Sequence, residues 1–195
     1  MKGFVQTVFI AALISASSLS SNFTIAKQLP VESFSRLPNN SRPNLSPNGQ
    51  KMAFIRNFQS PELAMLTTQD LLTDKIQYIA KSDNEKSKVR WFTWVNNETL
   101  LVSMMFAAKR YGTDTTETRL IAIDLSGKEP VQKQVVKSRR GGLHGNHVSQ
   151  FQDSIISFLP NDPEHVLIAL DLKVPNLPGV YKLNIKTGKQ SRIIK

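Results

Sequence analysis

Few groups in this chain could do chemistry. The histidines are His144, His147 and His165, there is no cysteine, and Ser, Asp and Glu are scattered along the sequence. His144 and His147 flank Gly145-Asn146, a spacing at which two imidazoles could meet one metal ion. A stable site needs a third ligand, with Asp153 or His165 as candidates, and supporting groups behind the ligands. Nothing in the sequence points to either, so the stretch reads as a flexible connector and no metal site is expected. A Ser-His-Asp hydrolase needs its nucleophile on a strained turn beside a base. The chain contains no G-x-S-x-G, so no catalytic residue is assigned and no cofactor is expected. Without cysteine, disulfides and thiolate metal sites are both excluded.

Two further groupings invite a chemical reading. Asp162 and Glu164 flank Pro163. An Asp that bonds nearby backbone beside a proline of fixed φ reads as a turn rather than an acid/base pair. Trp91, Phe92 and Trp94 form an aromatic cluster whose ordinary use is core packing rather than a ligand platform. Phe151, Phe158 and Tyr181 read in the same way.

The elements that must position these residues come from a repeated grammar of strand, tight turn and strand. Asn44 to Ile55 carries Ser46-Pro47-Asn48-Gly49 ahead of an apolar run; Pro47 presets φ and Asn48-Gly49 accepts the positive φ of a reversal. Trp94 to Ser103 and Phe158 to Ala169 repeat the pattern. The first unit predicts strands at Met52–Asn57, Leu63–Thr68 and Ile76–Ala80, with a hairpin at Gln69–Lys75. Its innermost strand comes through Asn44 and Leu45, and 39–43 read as loop. The second predicts strands at Val89–Val95, Thr99–Phe106, Glu117–Asp124 and Val131–Val136, with Lys109–Thr116 as a long polar loop. The third predicts Asp153–Leu159, His165–Leu172, Gly179–Ile185 and Gln190–Lys195. Ser82–Lys88 and Arg139–His147 are polar connectors. Four strands in about 40–50 residues is the size of a propeller blade. A β-sandwich has a similar strand count, but the likeness between units favours an all-β, incomplete propeller of about three four-stranded blades, spanning 40–81, 89–137 and 153–195.

The chain has 195 residues and a formal net charge of +10. Lys and Arg are dispersed, with Lys109-Arg110 and Arg139-Arg140 the only adjacent pairs. No recognition motif accompanies the charge, so a basic solvated surface is expected and no nucleic-acid partner. Lys2 precedes an apolar run from Phe4 to Ile14 and then a Ser-rich stretch, the pattern of a secretory signal peptide over 1–26. A membrane span needs about 20 predominantly apolar residues, and Ser15 to Asn22 breaks the run. Cleavage is expected after Ala26, or alternatively near Ser20. The mature chain, 27–195, would then be periplasmic or secreted, with no stable membrane span. Leu29 to Pro38 reads as a lead-in that uses Phe34 and Leu37 to pack on the body.

Leu29-Pro30-Val31-Glu32-Ser33-Phe34 through Ser46-Pro47-Asn48-Gly49 resembles the start of the propeller in secreted prolyl oligopeptidase-type serine peptidases, in their dipeptidyl or acylaminoacyl aminopeptidase branch. Trp94 to Val102, Arg119 to Asp124, Leu159 to Leu167 and Gly179 to Lys189 continue the likeness, which covers Leu29 to the C-terminus. Asn48 stands where that family usually has Asp before the Gly, and serves the same turn. TolB-like propellers share such units.

The resemblance implies a parent peptidase with an α/β-hydrolase domain carrying Ser, Asp and His. These 195 residues carry none of its catalytic positions, so the chain is expected to be inactive alone. Expected partners are peptides or that hydrolase domain. The alternative is a stand-alone, exported binding module that uses blade loops such as Lys109–Thr116. An unclosed ring leaves the outer faces of its end blades uncovered, with Met52 to Ile55 and Val166 to Ala169 as the apolar residues expected there, so self-association is a further expectation.

Overall fold

The computed structural model describes residues 29–35, 38–59, 62–83, 86–136 and 147–194. The expected signal peptide, His144 and Leu37 lie outside the described residues. The chain divides into two units, 1–36 and 37–195. The first contains a one-turn helix, α1 (Glu32–Ser35). It opens where Ser33 N–H and Phe34 N–H donate to the carbonyls of Pro30 and Val31. The Phe34 side chain is exposed.

The second unit is three antiparallel four-stranded sheets, each built from consecutive strands. Sheet one holds β1 (Asn40–Leu45), β2 (Lys51–Gln59), β3 (Glu62–Asp70) and β4 (Ile76–Ser82). Sheet two holds β5 (Ser87–Trp94), β6 (Thr99–Arg110), β7 (Thr113–Asp124) and β8 (Val131–Gln134). Sheet three holds β9 (Ile155–Ser157), β10 (His165–Val174), β11 (Leu177–Asn184) and β12 (Gln190–Ile194). Sequential pairing through short turns needs no crossovers.

The repeats coincide at the level of single hydrogen bonds. The N–H groups of Leu71, Leu125 and Ile185 donate to the carbonyls of Gln50, Glu98 and Glu164, at 2.7–2.9 Å. In each sheet this ties the end of the third strand to the turn before the second. An Asx residue sits just before each of these positions. Asp70 Oδ1 accepts the Thr73 N–H, Asp124 Oδ1 the Ser126 N–H and Asn184 Oδ1 the Thr187 N–H. Short Asx side chains bond backbone two or three residues on and so close a hairpin. These bonds hold the Asp70 and Asp124 carboxyls below the usual carboxylate range.

Two expectations about loops are corrected. Residues 40–43 are part of β1, paired with β2 and interrupted by a bulge between Ser41 and Asn44. Lys109–Thr116 is not a long loop: β6 and β7 stay in register from Thr99↔Asp124 to Arg110↔Thr113. Only Tyr111-Gly112 turns, with φ of 50° and 82°, the two-residue reversal whose twist suits a hairpin. The polar residues there belong to a ribbon that runs past the neighbouring strands, where neither face needs to be apolar.

Two apolar seams hold the sheets together. Strand alternation sends Ala53, Ile55 and Leu66 of sheet one against Leu100, Val102 and Trp94 of sheet two. The opposite face of sheet two, with Leu101, Leu120 and Ala122, meets Val166, Ile168 and Tyr181 of sheet three. Fully burying each large aliphatic contributes about 1.5–3 kcal/mol. The expected outer-face residues are therefore half right. Ala53, Ile55, Val166 and Ile168 point into seams, whereas Met52, Leu167 and Ala169 alternate to the opposite faces and are partly exposed; Phe54 shares the face of Met52 but is only 4% exposed.

Candidate functional site

The first strand of each sheet forms one edge, and three residues on these edges are linked in series. The bulge in β1 places Arg42 at φ 55°, re-aiming its side chain as bulges do. Its Nη1 donates to the Arg90 carbonyl of β5 at 2.8 Å, and Nη2 to that of Val89 at 3.4 Å. Arg90 Nη1 in turn donates to Asp153 Oδ2 at 2.8 Å, from a half-exposed guanidinium to a carboxylate only 2% exposed. Asp153 lies two residues before β9.

Asp153 is the most highly coordinated buried polar group described. Its Oδ2 also accepts from Trp91 Nε1 at 3.2 Å and Ser103 Oγ at 2.7 Å, and its Oδ1 from Thr118 Oγ1 at 2.8 Å. Thr118 Oγ1 in turn accepts the Gln152 N–H at 2.9 Å. One carboxylate thus ties the entry of sheet three to three strands of sheet two. With its lone pairs so occupied, Asp153 is a structural tie rather than a base or a free ligand. Among the described residues it belongs to no set of three metal-ligating side chains.

Past this tie, His147, Ser149 and Asp171 come together where the chain enters sheet three. Asp171 Oδ1 accepts the Ser149 hydroxyl, and Asp171 Oδ2 lies 3.0 Å from His147 Nε2. The residue types are those of a hydrolytic triad, but the carboxylate stands between the other two. Serine activation requires the imidazole to face the hydroxyl, and Ser149 is buried. Burial raises the Asp171 carboxyl, but the Ser149 hydroxyl, the Asn176 N–H and His147 outweigh it and leave it below the ordinary value. Beside this group Glu117 accepts from Arg110 Nε at 2.7 Å and from Arg119 Nη2. Here too burial raises the carboxyl and the two guanidiniums more than offset it. Arg110 Nη2 also donates to the Val148 carbonyl at 2.9 Å.

Asp162 and Glu164 do sit on a turn, closed by Asp162 N–H to the Leu159 carbonyl at 2.8 Å. Sequence reading missed the charge cluster there. Lys182 Nζ and His165 Nδ1 contact the two oxygens of Asp162 at 2.7 and 2.8 Å, and together hold its carboxyl down at about 2. Asn184 Oδ1 accepts the N–H groups of Lys186 and Thr187 and the Thr187 hydroxyl. That leaves Asn184 Nδ2 to donate to His165 Nε2 at 3.2 Å and His165 Nδ1–H to donate to Asp162. Only the strand pairing His165↔Asn184 brings these groups together.

Among the described residues no three of His, Cys, Asp and Glu gather as a metal-ligand set. No helix among them is long and apolar enough to cross a membrane. Phe92 and Trp94 are packed in the first seam and Tyr181 in the second, with Trp91 partly buried against the second. Phe151 and Phe158 are corrected: they are 48% and 43% exposed, not core.

No family model matches the sequence, and no curated protein matches it. Solved structures do. The β-propeller domain of the Trilobed protease from Pyrococcus furiosus, described as having an open velcro topology, is 18% identical over 82% of this chain and 44% of that one, with a TM-score of 0.50. An acylaminoacyl peptidase in complex with Z-Gly-Gly-Phe-chloromethyl ketone is 17% identical over 82% of this chain and 25% of that one (TM-score 0.49). The acylaminoacyl peptidase of Pyrococcus horikoshii is 18% identical over 82% and 26% (TM-score 0.48). The chain therefore spans between a quarter and under half of the structures it resembles. Three consecutive four-stranded sheets, with the likeness to the β-propeller domain of the Trilobed protease, give the described residues the fold of three propeller blades.

Proposed function

We propose that the chain is the non-catalytic, N-terminal propeller portion of an exported prolyl oligopeptidase-type serine exopeptidase. It gates or positions peptides for an α/β-hydrolase domain that carries the nucleophile these residues lack. The observation that carries this reading is the likeness of the three sheets to the propeller domain of the Trilobed protease. The ordered set of turn-and-strand motifs from Leu29 onward supports it. So does the series Arg42–Arg90–Asp153, which fixes the first strands of successive blades relative to one another.

The test is the native gene product. Intact mass of the protein from its source, with the reading frame beyond codon 195, is expected to show further blades and a G-x-S-x-G. The 195-residue chain alone is expected to leave aminoacyl and dipeptidyl chromogenic substrates unhydrolysed. A native product with no hydrolase domain would overturn the proposal, as would turnover by the pure chain that a serine-directed phosphonate blocks.

A further inference from the structure

The first strand of every sheet carries one residue more than its partner can pair. Between Ser41 and Asn44, β1 sets Arg42 and Pro43 against Phe54 alone. In β5 the extra residue is Arg90, between Val89 and Trp91, and in β9 it is Ile156, between Ile155 and Ser157. A bulge turns its side chain out of the regular alternation, and bulges gather at sheet edges and beside functional sites. Arg42, Arg90 and Ile156 are all exposed, and among the described residues their strands are paired along one edge only. β1 and β5 run side by side in one direction. Arg42 reaches the Arg90 carbonyl near their starts, and the Asn48 N–H donates to Asn97 Oδ1 beyond their ends. Positive charge collects at the starts. Arg42 donates to two backbone carbonyls and meets no carboxylate among the described residues, and the same holds for Lys88, exposed on β5. The nearby Asp83 carboxylate is taken by the N–H groups of Lys86 and Ser87. Arg90 pairs with the buried Asp153, yet its own side chain stays 52% exposed. Toward the far ends the exposed side chains turn apolar, with Leu45, Ile156 and Phe158.

We propose that the three first strands form a docking surface for a short, extended, acidic peptide. Its carboxylate lies against Arg42, Lys88 and Arg90, and its bulky apolar side chain lies on Leu45, Ile156 and Phe158. A guanidinium holds a carboxylate through paired N–H donors, and the two arginines are already fixed beside each other by the bond from Arg42 to the Arg90 carbonyl. Ile156 and Phe158 stand three and five residues beyond Asp153, where Arg90 is anchored. About four extended residues cover that span, which sets the spacing between the acidic and the apolar residue. The inference names the class of peptide, and it rests on the peptidase reading for the choice of a peptide as the ligand.

The probes are tetrapeptides acetylated and amidated at their ends, Asp-Ala-Ala-Phe and its Asn-Ala-Ala-Phe and Asp-Ala-Ala-Ala counterparts, titrated calorimetrically into the full chain. The first is expected to bind about fivefold more tightly than the second, which lacks the carboxylate, and more tightly than the third, which lacks the ring. Arg42→Gln and Lys88→Gln are each expected to narrow the preference for Asp over Asn and to leave the affinity for the Asn peptide unchanged. Ile156→Ser is expected to narrow the preference for Phe over Ala. Far-UV circular dichroism shows whether Arg42→Gln keeps its strands; where it does not, Lys88→Gln decides. No binding at millimolar peptide overturns the proposal, as does equal binding of the Asp and Asn peptides. A preference that its variants leave untouched overturns it too. Displacement by an equal concentration of inorganic phosphate would show a general anion site and likewise overturn it. The reading frame beyond codon 195 is a separate measurement, so failure here leaves the peptidase reading to its own test.

Discussion

Replacing Asp153 with Ala removes the acceptor for four donors at once. Ser103 and Thr118 are buried, at 0% and 1% exposure, and water cannot replace the lost carboxylate oxygens. A buried hydroxyl left without its acceptor costs about 1–3 kcal/mol. Thr118 Oγ1 still accepts the Gln152 N–H, but its own O–H loses its acceptor, so its loss is of the same size. The Arg90 guanidinium is half-exposed and regains water, so its ion pair adds at most about 1 kcal/mol. The sum is a loss of about 2–7 kcal/mol, set against about 5–15 kcal/mol for a whole domain. Asp153→Asn keeps the shape and one carbonyl oxygen and is expected to lose about 1–2 kcal/mol. Urea unfolding followed by tryptophan fluorescence suits the question. The two tryptophans are Trp91, which donates to Asp153, and Trp94, in the first seam. An Asp153→Ala midpoint equivalent to a loss below about 1 kcal/mol would refute the tie, and so would an Asn variant as damaging as the Ala one.

Tyr111 holds φ at 50° with its side chain fully exposed, so Tyr111→Asn is expected to stabilise by about 0.5 kcal/mol in the same titration. Gly112→Ala, at φ 82° with nothing within 4 Å of the added carbon, is expected to cost about 1 kcal/mol from backbone strain alone. Leu100→Ala and Leu120→Ala, each fully buried in a different seam, are expected to lose about 2–5 kcal/mol apiece by urea midpoint. Asp162 titrates at about 2 in the folded chain against an ordinary 3.8. Its contribution to stability is therefore complete above about pH 4 and is lost as pH falls toward 2. Lys182→Met removes its largest cause, so the drop in urea midpoint between pH 5 and pH 2 should be smaller in that variant; an unchanged drop would remove Lys182 from the account.

Local chemistry was legible in the sequence wherever a neighbour in the chain settles it. Ser46-Pro47-Asn48-Gly49 turns because of its own φ preferences, and Asp70, Asp124 and Asn184 close hairpins by bonding backbone two or three residues on. Apolar runs in units of similar length then mark the strands, so the count of three four-stranded sheets follows from local pattern. What tertiary structure decided is everything that depends on which face or which distant strand a residue meets. A run such as Met52 to Ile55 reads as uniformly apolar, yet alternation sends Ala53 and Ile55 into a seam and Met52 and Phe54 to the other face of the sheet. The polar ribbon around Tyr111 looks like loop because a two-stranded extension beyond the sheet has no apolar face to betray it. Asp153 meets Trp91, Ser103 and Thr118 across separations of 62, 50 and 35 residues. Ser149, Asp171 and His147 meet in an order that leaves the serine facing a carboxylate. No spacing rule encodes such meetings, because they arise only when two sheets stack and their registers bring particular strand ends together.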